Sequence, residues 1–399
     1  MRRAPALSFL LLTVFLDMLG LGLVVPILPA LLGAVTPHPA LWSGLLGSVF
    51  GLLQLAAAPL LGRLSDRYGR RPVLLASLGC LGADWVAHAL VSAPWPLLIV
   101  HALAGACAGT NTVVNAYIAD VCPAGARARA YGLVGSAFGL GFVAGPVLGG
   151  LLGGVDVRLP FLVAAGLSVA NVGYGWLVLP ESRPGDGRTA LSLRRANPFT
   201  AIAAVLGRPV LGRLAHARLH ADLARMIHQS TWAFFLTYRF GWDTTRVGVM
   251  IAAGALAGAL FQARAVGPVV DRLGERPTAL LGAGLGVVAF LGTAFVTEPW
   301  MLYAVQGVAV LSSAGGAAAS AWLSRGIGAA EQGSVQGALT SLSAVPETVV
   351  PLLAGVALTW SLAHGIPGAV YLGAAAFTAI SALLLATTPS LSSVGVPPR

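Results

Sequence analysis

Apolar residues run along the chain in stretches of about 20, and short segments rich in charged residues, glycine and proline separate these stretches. A helix of that length spans the hydrocarbon core of a bilayer. Breaking the apolar stretches at the polar segments predicts twelve transmembrane helices. Their predicted limits are 7–32, 43–62, 73–92, 96–119, 131–154, 159–179, 210–237, 247–269, 277–297, 299–323, 333–361 and 366–388.

The composition excludes a water-soluble protein. Hydrophobic residues make up 57% of the 399 positions and charged residues only 10%, whereas soluble domains carry roughly 25% charged residues to wet their surface. The same hydrophobicity excludes a disordered chain. Arg2 and Arg3 precede the first apolar stretch, as in a signal peptide. That stretch continues through Pro29 without a cleavage site, so it is interpreted as a retained first helix.

All 24 basic residues are arginine, and the net charge is +10. They do not form the basic stripe with interleaved aromatic residues that a nucleic-acid-binding protein would have, so no nucleic acid partner is predicted. If both termini are cytoplasmic, seventeen arginines fall in cytoplasmic segments and three in outer ones. This asymmetry predicts a multi-pass protein of the cell (inner, cytoplasmic) membrane with both termini in the cytoplasm.

An internal repeat divides the predicted helices into two groups of six. A polar motif recurs at a constant offset of 205 positions, as Gly62, Asp66, Arg67, Gly69 and Arg71 and again as Gly267, Asp271, Arg272, Gly274 and Arg276. The same offset relates Asp17 to Asp222 and Pro146 to Pro351. We therefore predict an all-α membrane protein with two pseudo-symmetric six-helix halves, 1–180 and 210–399, joined by a cytoplasmic linker at 181–209.

Three stretches carry recognisable signatures. The loop from Gly62 to Arg71 resembles the signature between helices 2 and 3 of the major facilitator superfamily. Helix 1 resembles the D-x-x-G-x-G-x-x-x-P-x-x-P pattern of its twelve-helix drug/proton antiporters, at Asp17, Gly20, Gly22, Pro26 and Pro29. Helix 5 resembles the antiporter motif that ends in GP-x-x-GG, at Gly141, Gly145, Pro146, Gly149 and Gly150.

Within that group the chain is most similar to the tetracycline/proton antiporters, with which it shares Gln54 and the run Ala116-Tyr117-Ile118-Ala119-Asp120. It also departs from them. His101 occupies a position where these antiporters usually carry Arg, and Gly258 and Gly286 align with a His and an Asp of the tetracycline group. Tetracycline is therefore one expected substrate among several amphipathic drugs.

The resemblance implies a secondary transporter and not an enzyme, namely a proton-coupled exporter of an amphipathic drug or antibiotic that works by alternating access. No metal-spaced His/Cys set, nucleophile elbow or phosphate loop is found, and the three cysteines are isolated. The alternatives are proton-coupled uptake of a small polar metabolite and a non-transporting membrane sensor. The helix 5 motif counts against uptake, and a sensor would be expected to carry a soluble signalling domain.

Burying an ionisable side chain inside a membrane costs free energy, so such residues usually have a function. They are therefore candidate proton sites. Asp17, Asp84 and Glu347 fall within predicted helices, and Glu347 is either a proton site or the partner of Arg264. Asp84 and His88 are four residues apart on one helical face. This pair either passes a proton or only satisfies the hydrogen-bonding needs of its two side chains. His101 either replaces the usual Arg as a titratable cation or serves in packing. The proton-coupling candidates are Asp17, Asp84, Glu347 and His101.

Polar residues of helices 2, 4 and 7 are the substrate-cavity candidates. Helix 7 carries a polar stripe on one face, which either lines a cavity or belongs to an amphipathic extension. In that stripe Asp222 is expected to pair with a flanking Arg, leaving Arg225 to hold an anionic substrate group. The cavity candidates are Gln54, Asn111, Asn115, Asp222, Arg225, Gln229 and Trp232.

The loop signature and the helix 5 motif supply candidates for a conformational switch, in which a charge network at the helix ends stabilises one transport state. The alternative is that the arginines only fix the topology. The switch candidates are Gly62, Asp66, Arg67, Gly69, Arg70, Arg71, Asp120, Gly145 and Pro146.

The expected partners are a small-molecule drug or antibiotic, protons and the lipid bilayer, and the protein is expected to be a monomer. No cofactor is expected, since a proton gradient would drive transport. A tetracycline-like substrate would arrive as a metal chelate.

Overall fold

The computed structural model describes residues 3–182, 198–325 and 332–389, and these residues form sixteen helices and no strand. The helices are α1 Arg3–Val24, α2 Leu28–Val35, α3 Pro39–Tyr68, α4 Arg70–Leu90, α5 Pro94–Cys107, α6 Thr110–Val121, α7 Ala124–Val155, α8 Leu159–Val178, α9 Pro198–Leu206, α10 Pro209–Phe240, α11 Thr244–Arg264, α12 Val266–Leu273, α13 Glu275–Phe295, α14 Pro299–Arg325, α15 Gln332–Ala363 and α16 Ala369–Thr387. The predicted all-α fold class is confirmed.

The helices have the length and composition needed to cross a membrane. Within the described ranges, eleven helical segments are long and apolar enough, and many of their large side chains are exposed. Leu177 is 84% exposed and Val155 81%. Apolar surface of this extent suits lipid and not water. The remaining predicted span, 210–237, corresponds to α10. This helix carries five charged side chains and lies outside the set of eleven, so the count of twelve stays a prediction.

Three spans predicted as continuous are in fact broken. The span 7–32 is divided into α1 and α2 around Pro26, which has no N–H to continue the helix. The span 96–119 is divided at Ala108 and Gly109. The span 247–269 breaks at Ala265, because Pro268 cannot donate to the carbonyl of Arg264. The predicted linker 181–209 contains α9, and its residues 183–197 lie outside the described part of the chain.

Contacts divide the chain into two units. The first comprises Met1–Arg195 with Gly241–Ala255, and the second comprises Ala196–Phe240 with Leu256–Arg399. The boundaries predicted for the two halves and their linker stay a prediction. The repeat is visible in the loops, since α4 and α13 both begin directly after a glycine with positive φ, 104° at Gly69 and 85° at Gly274.

The first unit has a core built on α1, α4 and α6. Phe9 and Leu10 of α1, Leu74 and Leu78 of α4 and Tyr117 of α6 are fully buried. Helix α1 also lies very close to α7, because both helices present glycine at the crossing. A Cβ on Gly22 would lie 2.8 Å from Pro146 Cδ, and a Cβ on Gly145 would lie 2.6 Å from Gly22 Cα. Such contact needs small residues on both helices.

The core of the second unit brings α9, α10, α13, α14, α15 and α16 together. Leu214 of α10, Ala279 of α13, Trp322 of α14, Leu339 of α15 and Leu385 of α16 are buried in one cluster. Above this cluster the bundle is open, and a cavity lies among α10, α13, α14 and α16.

Candidate functional site

The cavity of the second unit has a volume of about 490 Å³, which lies within the range of small-molecule pockets. Small residues of α13 and α14 line one wall, including Gly282, Gly286, Gly315 and Ser312. Gly282 and Gly315 let the two helices pack closely, since a Cβ on Gly315 would lie 2.8 Å from Gly282 Cα. The opposite wall is α10.

The α10 wall is polar at one end. Arg218, Asp222 and Arg225 line the cavity. The Arg225 Nε atom lies 3.4 Å from Asp222 Oδ1, and the Arg218 Nε atom lies 3.7 Å from Asp222 Oδ2. Ser343 of α15 donates a hydrogen bond of 2.8 Å to Asp222 Oδ2. The side chain of Asp222 is 14% exposed and has a cation on each side. The sequence predicted such a pairing with a flanking Arg.

Arg225 has more partners than the sequence indicated. It donates to Gln229 at 3.2 Å, and its Nη2 atom lies 3.8 Å from Glu347 Oε1. The predicted pairing of Glu347 with Arg264 is therefore wrong, since Arg225 of α10 is the cation beside it. The Arg225 side chain remains 50% exposed, so it holds these contacts and still presents N–H groups outward. Gln229 lies outside the cavity lining.

The α10 wall is aromatic at its other end. The ring of His228 lies 4.7 Å from that of Trp232, and Phe290 of α13 and Tyr371 of α16 lie within about 6 Å of His228. His228, Trp232 and Phe290 line the cavity. The Nδ1 atom of His228 is buried and has no hydrogen-bond partner in the described structure. The sequence singled out Trp232 but gave His228 no role, because a lone histidine on an apolar helix is not distinctive.

A second polar cluster lies in the first unit. The Asp84 carboxylate of α4 is fully buried, and its Oδ2 atom lies 2.8 Å from His101 Nδ1 of α5. His88 was expected to pair with Asp84 through its four-residue spacing. Its Nδ1 atom instead donates to the Asp84 backbone oxygen at 2.9 Å and lies 3.6 Å from Oδ1. His101 is therefore the side chain that makes the short contact with the carboxylate.

The other candidates of the first unit are dispersed. Asp17 lies on α1, where the Thr110 side chain faces its carboxylate. Gln54 is half-buried on α3, and Asn115 is exposed on α6. The backbone of Asn111 belongs to α6, but its side chain lies outside what the structure describes. These four residues belong to the first unit and do not line the cavity described above.

The loop signature forms a charge network centred on Arg70. Its Nη2 atom lies 2.6 Å from Asp66 Oδ1, and its Nε atom donates to Asp120 Oδ2 at 3.0 Å. Ser65 Oγ accepts a further hydrogen bond of 2.6 Å from Arg70, and its hydroxyl donates to the carbonyl oxygen of Gly62. Arg70 is 6% exposed, so the centre of this network is a buried cation between two carboxylates.

Two predicted members stand apart from this network. Arg67 is exposed, and its guanidinium lies over the ring of Tyr68. Arg71 donates to the backbone oxygen of Trp176 at the end of α8. Gly145 and Pro146 lie on α7, at its close crossing with α1. The structure thus joins Asp66, Arg70 and Asp120, with the Gly62 carbonyl at the end of the hydrogen-bond chain, and leaves the side chains of Arg67 and Arg71 in separate contacts.

The sequence analysis missed Glu181. Its two carboxylate oxygens accept the backbone N–H groups of Arg70 at 2.8 Å and Arg71 at 3.1 Å, which caps the first turn of α4. The only sign of it in the sequence is a single acidic residue directly after the sixth apolar stretch. Its partners lie about 110 positions away, which no local pattern reveals.

Comparison with known proteins places these features in a family. The family model of the Major Facilitator Superfamily matches residues 10–237. The chain is 37% identical to the tetracycline resistance protein, class C, of Escherichia coli over 93% of this chain and 96% of that one. It is 37% identical to the class G protein of Vibrio anguillarum over 86% of this chain and 87% of that one.

Solved structures agree on the fold. The human organic anion transporter MFSD10 matches with a TM-score of 0.67 and 24% identity, over 96% of this chain and 100% of that one. A bacterial homologue of the human lysosomal transporter Spinster matches with a TM-score of 0.77 and 17% identity, over 97% and 98%. The predicted family is confirmed: this multi-pass membrane protein belongs to the Major Facilitator Superfamily and is a secondary transporter, not an enzyme.

Proposed function

We propose that the protein exports an amphipathic drug or antibiotic, tetracycline-like or other, in exchange for protons by alternating access. The observation that carries this proposal is the cavity of the second unit, with charged side chains at one end of α10 and aromatic rings at the other. An amphipathic ligand presents the same division. The similarity to tetracycline resistance proteins over nearly the whole chain supports the substrate class.

The cavity favours a flat ligand with an anionic or hydrogen-bond-accepting edge. Trp232 and Phe290 offer ring faces, on which planar ligands stack. Arg225 and Arg218 offer guanidinium N–H groups, which match planar acceptor pairs. Gly286 stands where the tetracycline group carries an Asp, so this cavity lacks that acidic group.

Proton coupling is assigned to the carboxylates within the spans. Asp84 faces His101, and Asp17 faces Thr110. Neither contacts an arginine among the described residues, so each can gain and lose a proton without breaking a permanent ion pair. Glu347 is a weaker coupling site, because Arg225 stands beside it. The network of Arg70 acts on the switching equilibrium and not on the ligand.

The location and partners follow from the same reasoning. The protein acts as a monomer in the inner membrane, with both termini in the cytoplasm. The distribution of arginine supports this orientation. It uses no cofactor. A tetracycline-like substrate would enter as its metal chelate, which adds a cation to the ligand and gives Asp222 a role in binding.

The test is an antibiotic panel that includes tetracyclines, applied to bacteria expressing the full chain. Expression should raise resistance to at least one amphipathic compound and lower its accumulation, and a proton-gradient uncoupler should remove the difference. Vesicles containing the purified protein should then release protons when that compound is added. Resistance unaffected by the uncoupler, or by Asp17→Asn with Asp84→Asn, would contradict proton-coupled export.

A further inference from the structure

The cluster of Asp84, His88 and His101 has the composition of a metal site. Each of the three side chains offers one ligand atom, and these atoms all lie within 4.8 Å of one another. Two are imidazoles and one is a carboxylate, on α4 and α5. Imidazole and carboxylate together suit zinc and its neighbours among the divalent transition metals.

One buried carboxylate oxygen in this cluster has no hydrogen-bond partner within the described ranges. Asp84 is fully buried, and its Oδ1 atom has no hydrogen-bond partner in the described structure. No arginine of the described chain pairs with it, and its ionic contacts are the two histidines. An ionised carboxylate in a dry interior needs a cation or a full set of hydrogen bonds. A divalent ion beside Oδ1 would supply that charge.

The spacing suits direct ligation. Ligands of a tetrahedral zinc ion sit at about 2.0–2.2 Å from the metal, which places them roughly 3.3–3.6 Å from one another. The candidate ligand atoms all lie within 4.8 Å of one another, and Asp84 Oδ2 and His101 Nδ1 lie 2.8 Å apart. Side-chain shifts of roughly 1 Å therefore convert the contacts into a three-ligand site.

The surroundings favour neutral histidine ligands. His88 Nδ1 donates its proton to the backbone oxygen of Asp84, which leaves the lone pair on Nε2. Metal-binding histidines in general donate a hydrogen bond from the ring nitrogen that does not bind the metal, and this bond orients the ring. Aromatic rings enclose the cluster: Phe161 stacks on His88 at 5.3 Å, and Phe50 lies 4.9 Å from His101. Such walls exclude water that would compete for the ion.

We propose that Asp84, His88 and His101 bind one divalent transition-metal ion of the zinc class, with a fourth position open to water or a small ligand. His101 is the most exposed of the three, at 18%, and forms the access to the site. This site is distinct from the cavity of the second unit and is measured as binding to the purified protein. Because the ion binds only the ionised Asp84 carboxylate, metal and proton compete for this residue.

The experiment is a titration of the full chain in detergent with Co²⁺, whose visible absorption reports its coordination, followed by displacement with Zn²⁺. The purification tag should contain no histidine. We expect one Co²⁺ per chain, stoichiometric displacement by Zn²⁺ and no competition by Mg²⁺, which requires oxygen ligands. His88→Ala should weaken binding by more than the roughly 10–100-fold that loss of an outer-shell contact produces.

The most informative variant is His101→Arg. Arginine places a permanent cation beside Asp84, but it has no lone pair for a metal. The variant should therefore remain folded, by size-exclusion profile and melting temperature, and lose Co²⁺ binding. His228→Gln should bind as the wild type does, and so should a variant with Ser at Cys80, Cys107 and Cys122. Binding that survives both His101→Arg and His88→Ala, or is absent from the wild type, would overturn the proposal.

Discussion

The two units hold their membrane carboxylates in opposite ways. Asp84 of the first unit contacts histidines, whose charge depends on pH, and Asp222 of the second contacts two arginines, which stay charged. The repeat makes the contrast sharper, because Asp222 corresponds to Asp17, which has no arginine partner among the described residues. One internal symmetry thus supports two roles. The first unit is suited to proton exchange and the second to a fixed charge pattern around a ligand.

The strongest test of this contrast exchanges each carboxylate for an amide. Asp84→Asn removes a carboxylate that we propose gains and loses the proton, so drug-dependent proton exchange in vesicles should fall by about 100-fold or more. Asp222→Asn should leave coupling measurable and instead weaken ligand binding, because its charge is fixed. Proton release on drug addition and equilibrium drug binding are measured for both variants.

The matched control is Glu298→Gln, which neutralises an exposed carboxylate outside the spans. It should behave as the wild type in both measurements. Equal loss of coupling in the Asp84 and Asp222 variants would remove the distinction between the units.

His101 provides the next test. Removing it in His101→Ala leaves Asp84 without its short contact, and a charge-assisted hydrogen bond of this kind is worth about 1.5–3 kcal/mol. Transport should fall by about 10–100-fold. His101→Arg should slow drug-dependent proton exchange, because a permanent guanidinium beside Asp84 favours the ionised carboxylate, as Arg218 and Arg225 do at Asp222. Wild-type transport by both variants would mean that His101 serves only in packing.

Arg225 tests the second unit. Arg225→Ala leaves Asp222 with Arg218 and Ser343, so the carboxylate is not stranded. Affinity for an anionic ligand should drop about 10-fold, less than for a buried contact, because Arg225 is half exposed. Affinity for a neutral analogue should change little. Arg264→Ala, at an exposed arginine of α11, is the control.

The double variant Arg225→Ala with Asp222→Ala decides the role of that arginine. We expect it to stay impaired, since the ligand contact is lost in both variants. Recovery of wild-type affinity would mean that Arg225 only neutralises Asp222.

The smallest effect concerns the two repeated glycines. Both have positive φ, so alanine strains either loop by about 1 kcal/mol. A Cβ on Gly69 would also collide with the Glu181 carboxylate, whereas Gly274 has only Pro277 nearby, at 3.8 Å. Gly69→Ala should therefore lower the melting temperature by a few degrees more than Gly274→Ala. In a Glu181→Ala background the two effects should become equal; a persistent difference would exclude the cap as its cause.

The fold was largely predictable, because hydrophobic stretches, arginine asymmetry and the offset of 205 positions are direct records of membrane insertion and duplication. The breaks near Pro26 and Pro268 were missed. Hydropathy averages over a window, so it does not register a single lost hydrogen bond. The span α10 was assigned in spite of its charges, because its stripe follows the helical period.

The site was predictable only where residues are neighbours on one helix. The pairing of Asp222 with its flanking arginines follows from spacings of three and four. The same rule gives the contact of Asp84 with His88 at 3.6 Å, but it misses the shorter contact with His101, which comes from α5. The contacts of Glu347 and Glu181 also join distant segments. Which helix lies beside which is settled by packing, and a single sequence does not record it.

The capping of α4 by Glu181 also sets an order of biogenesis. A ribosome releases Arg70 and Arg71 more than a hundred residues before Glu181, so the first turn of α4 enters the bilayer region with its N–H groups still unmatched. Those groups acquire their acceptor only when the end of α8 has been synthesised and has folded back. The start of α4 is therefore capped only after the end of α8 has been made, and a chain truncated before Glu181 would leave it uncapped.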